Sequence, residues 1–338
     1  MSSNRLERLN VSMDVRIVDH LQGKNRSLWQ ALMVRTSLAA DEDSERTVLV
    51  FEQGELLAAG SRKGNLLKCI AVDPAHQGED LTATLLTALR EDAFRAGFRH
   101  LFLYTKPMNE FLFRNLFFYP VVKTGDVLLM ENVRDGIRSF LRTLPVPSTE
   151  GKIGAAVMNC DPFTLGHQYL IETAAKQCDH LYIFVLSEDQ GHFSNVDRLA
   201  MVKAGTAHLE NVTVLTTGPY LISAATFPTY FLKNRDQAES VHCALDIAVF
   251  TRYFVPRFSI RHRFVGEEPL SPMTSSYNEA LVKTLPDFGV EVHVIPRLCQ
   301  EQTPVSASAV RARLASGENI RELVPETTYT YLLDHSLI

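Results

Sequence analysis

Cysteine is scarce and scattered. Cys69, Cys160, Cys178, Cys243 and Cys299 are odd in number, and no C-x-x-C pair occurs. That excludes a disulfide framework and a cysteine-based zinc cluster. Charge of one sign is also lacking: 34 Lys and Arg stand against 39 Asp and Glu, for a net charge of -5. A chain-wide electrostatic grip on nucleic acid is therefore not expected. No apolar run reaches the roughly 18–20 residues of a membrane-spanning helix. The polar start, Met1 to Arg8, has no signal-peptide core. The expectation is a cytoplasmic protein with reduced thiols and no membrane partner. With 17 Gly and 15 Pro the chain is not collagen-like, and no internal repeat or low-complexity tract stands out.

What is present is an ordinary globular composition, 46% hydrophobic and 22% charged over 338 residues. At roughly 100–200 residues per domain this suggests about two domains. The stretch Leu144-Pro145-Val146-Pro147-Ser148-Thr149-Glu150-Gly151 reads as the linker. The expected domains are 1–147 and 148–338. In the first, strands are predicted over Thr47–Phe51, Glu55–Ala59, Leu67–Val72 and His100–Tyr104. Helices are predicted over Asp80–Ala96, with Gly97 as its stop, and Glu110–Leu116. The order is β-β-β-α-β-α-β.

In the second, apolar strands over Lys152–Met158, Leu181–Leu186 and Val212–Leu215 alternate with helices over Gly166–Cys178 and Val196–His208. Further helices are predicted near Phe227–Lys233 and Ser240–Phe254, strands near Arg261–Val265 and Glu291–Ile295, and terminal helices beyond Ser306. Strand–helix alternation of this kind indicates an α/β fold with a buried parallel sheet.

The chemical signal lies just after the first of these parallel strands. Asn159-Cys160-Asp161-Pro162-Phe163-Thr164-Leu165-Gly166-His167 leads into a helix. Ligands bind beyond the carboxyl ends of strands in such sheets, and a helix start offers free N–H groups to phosphate. Gly166 permits close approach, His167 can donate to a phosphate oxygen, and Thr164 supplies a hydroxyl. An N-capping Thr with a helix-end His would read the same in isolation. Downstream, Val305-Ser306-Ala307-Ser308-Ala309-Val310-Arg311 opens another helix. Ser306, Ser308 and Arg311 there would make a second anion site, or simply cap a surface helix. Two such sites in one α/β domain suit a triphosphate. Neither G-x-x-x-x-G-K-[ST] nor G-x-G-x-x-G occurs. His242, Asp246 and His262 lack metal-ligand spacing, so no protein metal site is expected.

T-x-G-H after the first strand, paired with a late S-x-S-x-x-R, resembles the nucleotidyltransferase superfamily, which has a Rossmann-like fold. The longer strings Met158–His167, Ala225–Lys233, Arg263–Pro269 and Val305–Ser308 resemble the citrate lyase ligase family. The resemblance implies an ATP-dependent enzyme, with Mg²⁺, that activates acetate as acetyl-adenylate. The acetyl group would pass to the phosphoribosyl-dephospho-CoA thiol on the acyl carrier subunit of citrate lyase, with AMP and pyrophosphate released. His167 and Thr164 would act at the α-phosphate, and Ser306, Ser308 and Arg311 at the β- and γ-phosphates. Asn159, Cys160, Asp161 and Phe163 would line the loop under the nucleotide.

Related transferases often carry a Lys before the next helix, where this chain has Gln190-Gly191-His192-Phe193. Asp197, Arg198 and Lys203 are further candidates on that helix, against a solvated helix face. Glu267-Glu268-Pro269 is a candidate near adenosine or acetate, against a strand-end turn.

In the first domain, Val72 to Leu81 resembles the pyrophosphate-binding turn of the GCN5-related N-acetyltransferase fold. Gln77 and Gly78 match, while Asp80 stands where glycine is usual. The expected role is docking of the carrier or its CoA-like arm, with a purely structural role equally open. Two other functions remain for the whole chain: an adenylyltransferase that leaves AMP on a small phosphate ester, and a nucleotide-sensing module without turnover.

Overall fold

The computed structural model describes residues 13–77, 80–148, 150–188, 191–223, 226–232, 237–267, 272–300 and 303–338. The chain packs into two compact units. The first comprises Met1–Gly136 with Pro228–Val241, and the second Ile137–Phe227 with His242–Ile338. A segment from the middle of the second half therefore packs with the first unit, which a single cut in the linear sequence does not express.

The first unit runs β1 (Asp14–Val18), α1 (Gly23–Arg35), β2 (Arg46–Glu52), β3 (Glu55–Lys63), β4 (Leu66–Val72), α2 (Leu81–Arg95), β5 (Phe102–Thr105), α3 (Glu110–Asn115), β6 (Tyr119–Lys123) and β7 (Leu128–Glu131). The sheet order is β1-β2-β3-β4-β5-β7-β6. The turn between β2 and β3 forms where Gln53 and Gly54 both take positive φ, the backbone that tight hairpins need. α2 buries Leu81, Leu85, Leu86, Leu89 and Ala93 on one face, and Gly97 follows it at φ 91°.

Three features of this unit escaped the sequence reading. One is β1, a strand of five residues. α1 is the second, because only Trp29, Leu32 and Met33 are buried along its length, too few for a clear period. The third is the β6–β7 hairpin, where a single last strand was expected.

The remaining elements are α4 (Gly136–Thr143), β8 (Ile153–Met158), α5 (Leu165–Ala175), β9 (His180–Val185), α6 (Asn195–Thr206), β10 (Val212–Thr216), α7 (Ala238–Val249), α8 (Val255–Phe258), β11 (His262–Gly266), α9 (Pro272–Thr284), β12 (Glu291–Ile295), β13 (Cys299–Gln300), β14 (Thr303–Pro304), α10 (Ala307–Ser316) and α11 (Glu326–Asp334), all in the second unit save Gly136 and the Ala238–Val241 start of α7. The main sheet has order β10-β9-β8-β11-β12, and every pairing in it is parallel. β9 is buried at all six residues, as expected of a strand covered on both faces. One face packs Ile171, Met201, Val202, Val310 and Leu332 against the sheet. The other carries an aromatic stack in which Phe184 meets Phe254 and Phe258 at 5.2 and 5.1 Å.

The helix expected near Phe227–Lys233 is absent over its described part, where Thr226 to Leu232 form turns. Pro228 removes a donor and restrains Phe227, which explains the break. Lys233 lies outside the described residues. The helix expected over Ser240–Phe254 is α7 followed by a π-helical turn over Phe250–Phe254.

Candidate active site

The loop after β8 is held from beneath. Cys160 takes φ 54° and the Asp161–Pro162 peptide is cis. The Asp161 carboxylate accepts from the backbone N–H groups of His192 (2.9 Å) and Phe193 (2.8 Å). A Cβ on Gly191 would fall 2.9 Å from that carboxylate, so the glycine is what lets the two loops meet. Where the sequence comparison expected a lysine, this segment thus supplies main-chain donors to Asp161. Phe163 is fully buried, and a Cβ on Gly205 would lie 2.3 Å from its ring. The Cys160 thiol also sits in the core, where burial pushes its pKa far up. Cys160, Asp161 and Phe163 therefore build the loop with their side chains, while Asn159 is exposed.

Arg198 is the second support. It is fully buried. Its Nη1 donates to Asn159 O (2.8 Å) and Oδ1 (2.6 Å), its Nε donates to Phe193 O at 3.2 Å, and its Nη2 contacts Glu188 O. Neither a solvated helix face nor a phosphate contact describes this residue. Asp197 accepts from the Tyr331 hydroxyl at 2.9 Å, and Lys203 is exposed. Glu268 and Pro269 lie outside the described residues.

At the start of α5, Thr164 caps the helix and His167 returns the bond. Thr164 Oγ1 accepts from the His167 N–H at 3.3 Å, and the Thr164 N–H donates to His167 Nδ1 at 3.1 Å. A backbone N–H can only donate, so Nδ1 must accept and the neutral ring carries its proton on Nε2. Burial, with the nearby Arg297 charge, lowers the His167 pKa to about 4. The ring is therefore a neutral Nε2–H donor at pH 7. Thr164 is 1% exposed, and its hydroxyl is engaged by His167. It positions the histidine.

The second helix start comes alongside the first. A Cβ on Gly166 would lie 2.9 Å from the Val305 carbonyl, so the glycine permits α5 to approach the segment leading into α10. Ser306 caps α10, accepting from the Ala309 N–H at 3.1 Å. Arg311 Nη2 donates to Ser308 Oγ at 3.2 Å, and its Nη1 contacts the Asp161 carbonyl. Arg311 thus ties the late motif to the early one.

Between them lies a cleft of 250 Å³ at the carboxyl ends of β8, β11 and β12. Thr164, Gly166, His167 and Ser306 line it; Asn159, Ser308 and Arg311 do not. The cleft also presents Arg263, Glu267, Tyr277, Asn278 and Arg297. Arg297 follows β12 by two residues, so the strand-end rule would have found it. The signal for Arg263 was a charge inside an otherwise apolar buried strand.

At the opposite ends of β11 and β12, His262 Nδ1 and His293 Nε2 lie 2.9 Å apart with Glu291 beside them. This is a grouping of metal-ligand type among the described residues. Sequence spacing hid it because it arises across two paired strands.

The first unit has its own cleft, of 530 Å³, lined in part by Gln77, Thr82, Lys106 and Tyr230. Pairing of β4 with β5 is confined to Leu66–Leu67 against Phe102–Leu103. The buried Tyr230 hydroxyl donates to the Tyr104 carbonyl at 2.7 Å. Gly78 lies outside the described residues.

Residues 153–332 match the citrate lyase ligase C-terminal domain, and residues 15–113 match the acetyltransferase (GNAT) family. The citrate pro-3S-lyase ligase of Klebsiella pneumoniae is 41% identical over 304 residues, covering 88% of this chain and 89% of that protein. That of Escherichia coli K12 is 38% identical, covering 88% of each. A phosphopantetheine adenylyltransferase from a Synechococcus strain is 30% identical over 42% of this chain and 86% of its own length. The chain belongs to the citrate lyase ligase family of enzymes.

Proposed function

We propose that the chain uses ATP as a co-substrate to activate acetate as acetyl-adenylate in the 250 Å³ cleft. It then transfers the acetyl group to the prosthetic-group thiol of the citrate lyase acyl carrier subunit. The observation that carries this reading is the neutral His167, presented as an Nε2–H donor where the starts of α5 and α10 meet. Acetate is an anion at pH 7 and needs no general base. One acetate oxygen attacks the α-phosphorus as the bond to pyrophosphate breaks, and the electron pair leaves with pyrophosphate. The burden is charge stabilisation. His167 Nε2–H serves an α-phosphate oxygen. The helix starts at Leu165 and Ala307, with Arg297 and Ser306, serve the departing phosphates, and Arg311 fixes the two motifs together.

In the second step the carrier's thiolate attacks the acetyl carbon and AMP leaves. Glu267 is the carboxylate among the described lining residues, so Mg²⁺ fits as an ion held mainly by phosphates and water. When bound it neutralises phosphate charge.

The test is to incubate the chain with ATP, acetate and deacetylated citrate lyase, then weigh the carrier subunit. A mass gain of one acetyl group that requires both ATP and acetate supports the reading. An unchanged carrier mass with active controls refutes it. A plain adenylyltransferase is the second reading, favoured by the phosphopantetheine adenylyltransferase likeness over 42% of the chain. A stable AMP conjugate would identify it.

A further inference from the structure

Arg263 is an anomaly in the floor of the cleft. It stands in the middle of β11, between β8 and β12, paired with Ala155 and Val292. It is 3% exposed and lines the cleft. Its guanidinium stacks over the Phe250 ring, 4.7 Å from the centroid, and meets the Tyr277 hydroxyl. Tyr277 in turn donates to Asp246 Oδ2 at 2.5 Å. Yet Arg263 Nε and Nη1 are buried with no hydrogen-bond partner. A buried cation with open donors is costly unless something anionic completes it.

Strand alternation puts Val265 on the same side of β11 as Arg263, and Val157 on the same side of β8 as Ala155. Both valines line the cleft. Arg263 is thus set among the Tyr277 hydroxyl and two valines, while Arg297 and Ser306 line the cleft with it. That suits a small monocarboxylate better than a hydrated polyphosphate, whose charge the helix starts and Arg297 already meet.

We propose that Arg263, steadied by Tyr277 and Asp246, is the carboxylate-binding residue for the acid substrate. Held there, one carboxylate oxygen is fixed while the other stays free to attack. The guanidinium also offsets repulsion between two anions that must approach each other. The choice of acetate as the acid rests on the acyl-activating reading above.

Two measurements on the full chain separate the two ideas. The first is binding of ¹³C-acetate in the absence of ATP, followed by NMR. The second is acetate-dependent ATP–pyrophosphate exchange, with acetate and ATP varied in turn. Arg263→Met keeps volume and removes the charge. Its acetate Kd and KM should rise about ten- to a hundredfold, the size of a lost charged hydrogen bond. Its KM for ATP should stay within about twofold. Thermal melting checks that the variant folds. If it does not, Arg263→Lys decides on the same criteria, since the ammonium lacks the planar guanidinium.

Unchanged acetate binding in a folded variant overturns the proposal, as does a loss that falls on ATP instead. Absence of acetate binding by the wild-type chain also overturns it. Acetate binding that depends on Arg263, without any exchange, upholds the site while sinking the activation chemistry.

Discussion

At the scale of the residue, His167 shows how local bonding sets chemical state. The Thr164 N–H fixes its tautomer, and burial holds its pKa to about 4. His167→Ala should lower pyrophosphate exchange by about 10²–10³, the usual effect of losing one transition-state donor. Near-normal exchange in a folded variant would remove the assignment. The pH consequence has a definite sign. The unfolded chain takes up this proton near 6.5, while the folded chain resists it until about 4. Between those values the unfolded state binds more protons, so acidification from 6.5 towards 4 destabilises the fold. An NMR titration should place the His167 midpoint near 4, and the drop in denaturation midpoint between pH 7 and 5 should shrink in His167→Gln. A midpoint near 6.5 would contradict the buried donor.

At the scale of the element, the two helix starts depend on one missing side chain. In Gly166→Ala the new Cβ would press on the Val305 carbonyl at 2.9 Å, a backbone atom with little freedom to retreat. The start of α5 should move from α10, costing about 1–3 kcal/mol of stability by overpacking. Exchange activity should fall more steeply than the melting temperature. An unchanged KM for ATP would count against the shared site.

The same contrast explains what could be read in advance. Thr164, Gly166, His167 and Ser306 were legible because caps and close approaches belong to short contiguous strings. The His262–Glu291–His293 grouping was not, because strand register makes its members neighbours. Arg198 was misread for a related reason. A helix-start arginine looks solvated until the loop that it anchors is known, and its bonds reach Asn159 and Glu188 across the fold. α1 stayed hidden because its buried residues are too few, while β9, buried throughout, announced itself.

At the scale of the whole molecule, the two compact units are not two contiguous stretches of sequence. Pro228–Val241 packs with the first unit. Tyr230 and Phe231 are 5% and 2% exposed there. Burying side chains of this size contributes roughly 1.5–3 kcal/mol each, and the Tyr230 hydroxyl adds its bond to Tyr104. A fragment beginning at Gly151 would strip the cover from both rings while leaving the cleft residues of the second unit in place. Such a fragment should bind an apolar dye and melt lower than the full chain. In the full chain, Tyr230→Phe should cost only about 1 kcal/mol, the net value of one hydrogen bond. The pair of results discriminates between causes. If the fragment melts cooperatively at the full-chain temperature and binds no dye, the segment does not need the first unit. If Tyr230→Phe destabilises as much as the truncation, the hydroxyl and not the buried rings holds the segment. The expected outcome, a large loss on truncation and a small one on removing the hydroxyl, would locate the stabilisation in apolar burial and show that the halves of the sequence fold interdependently.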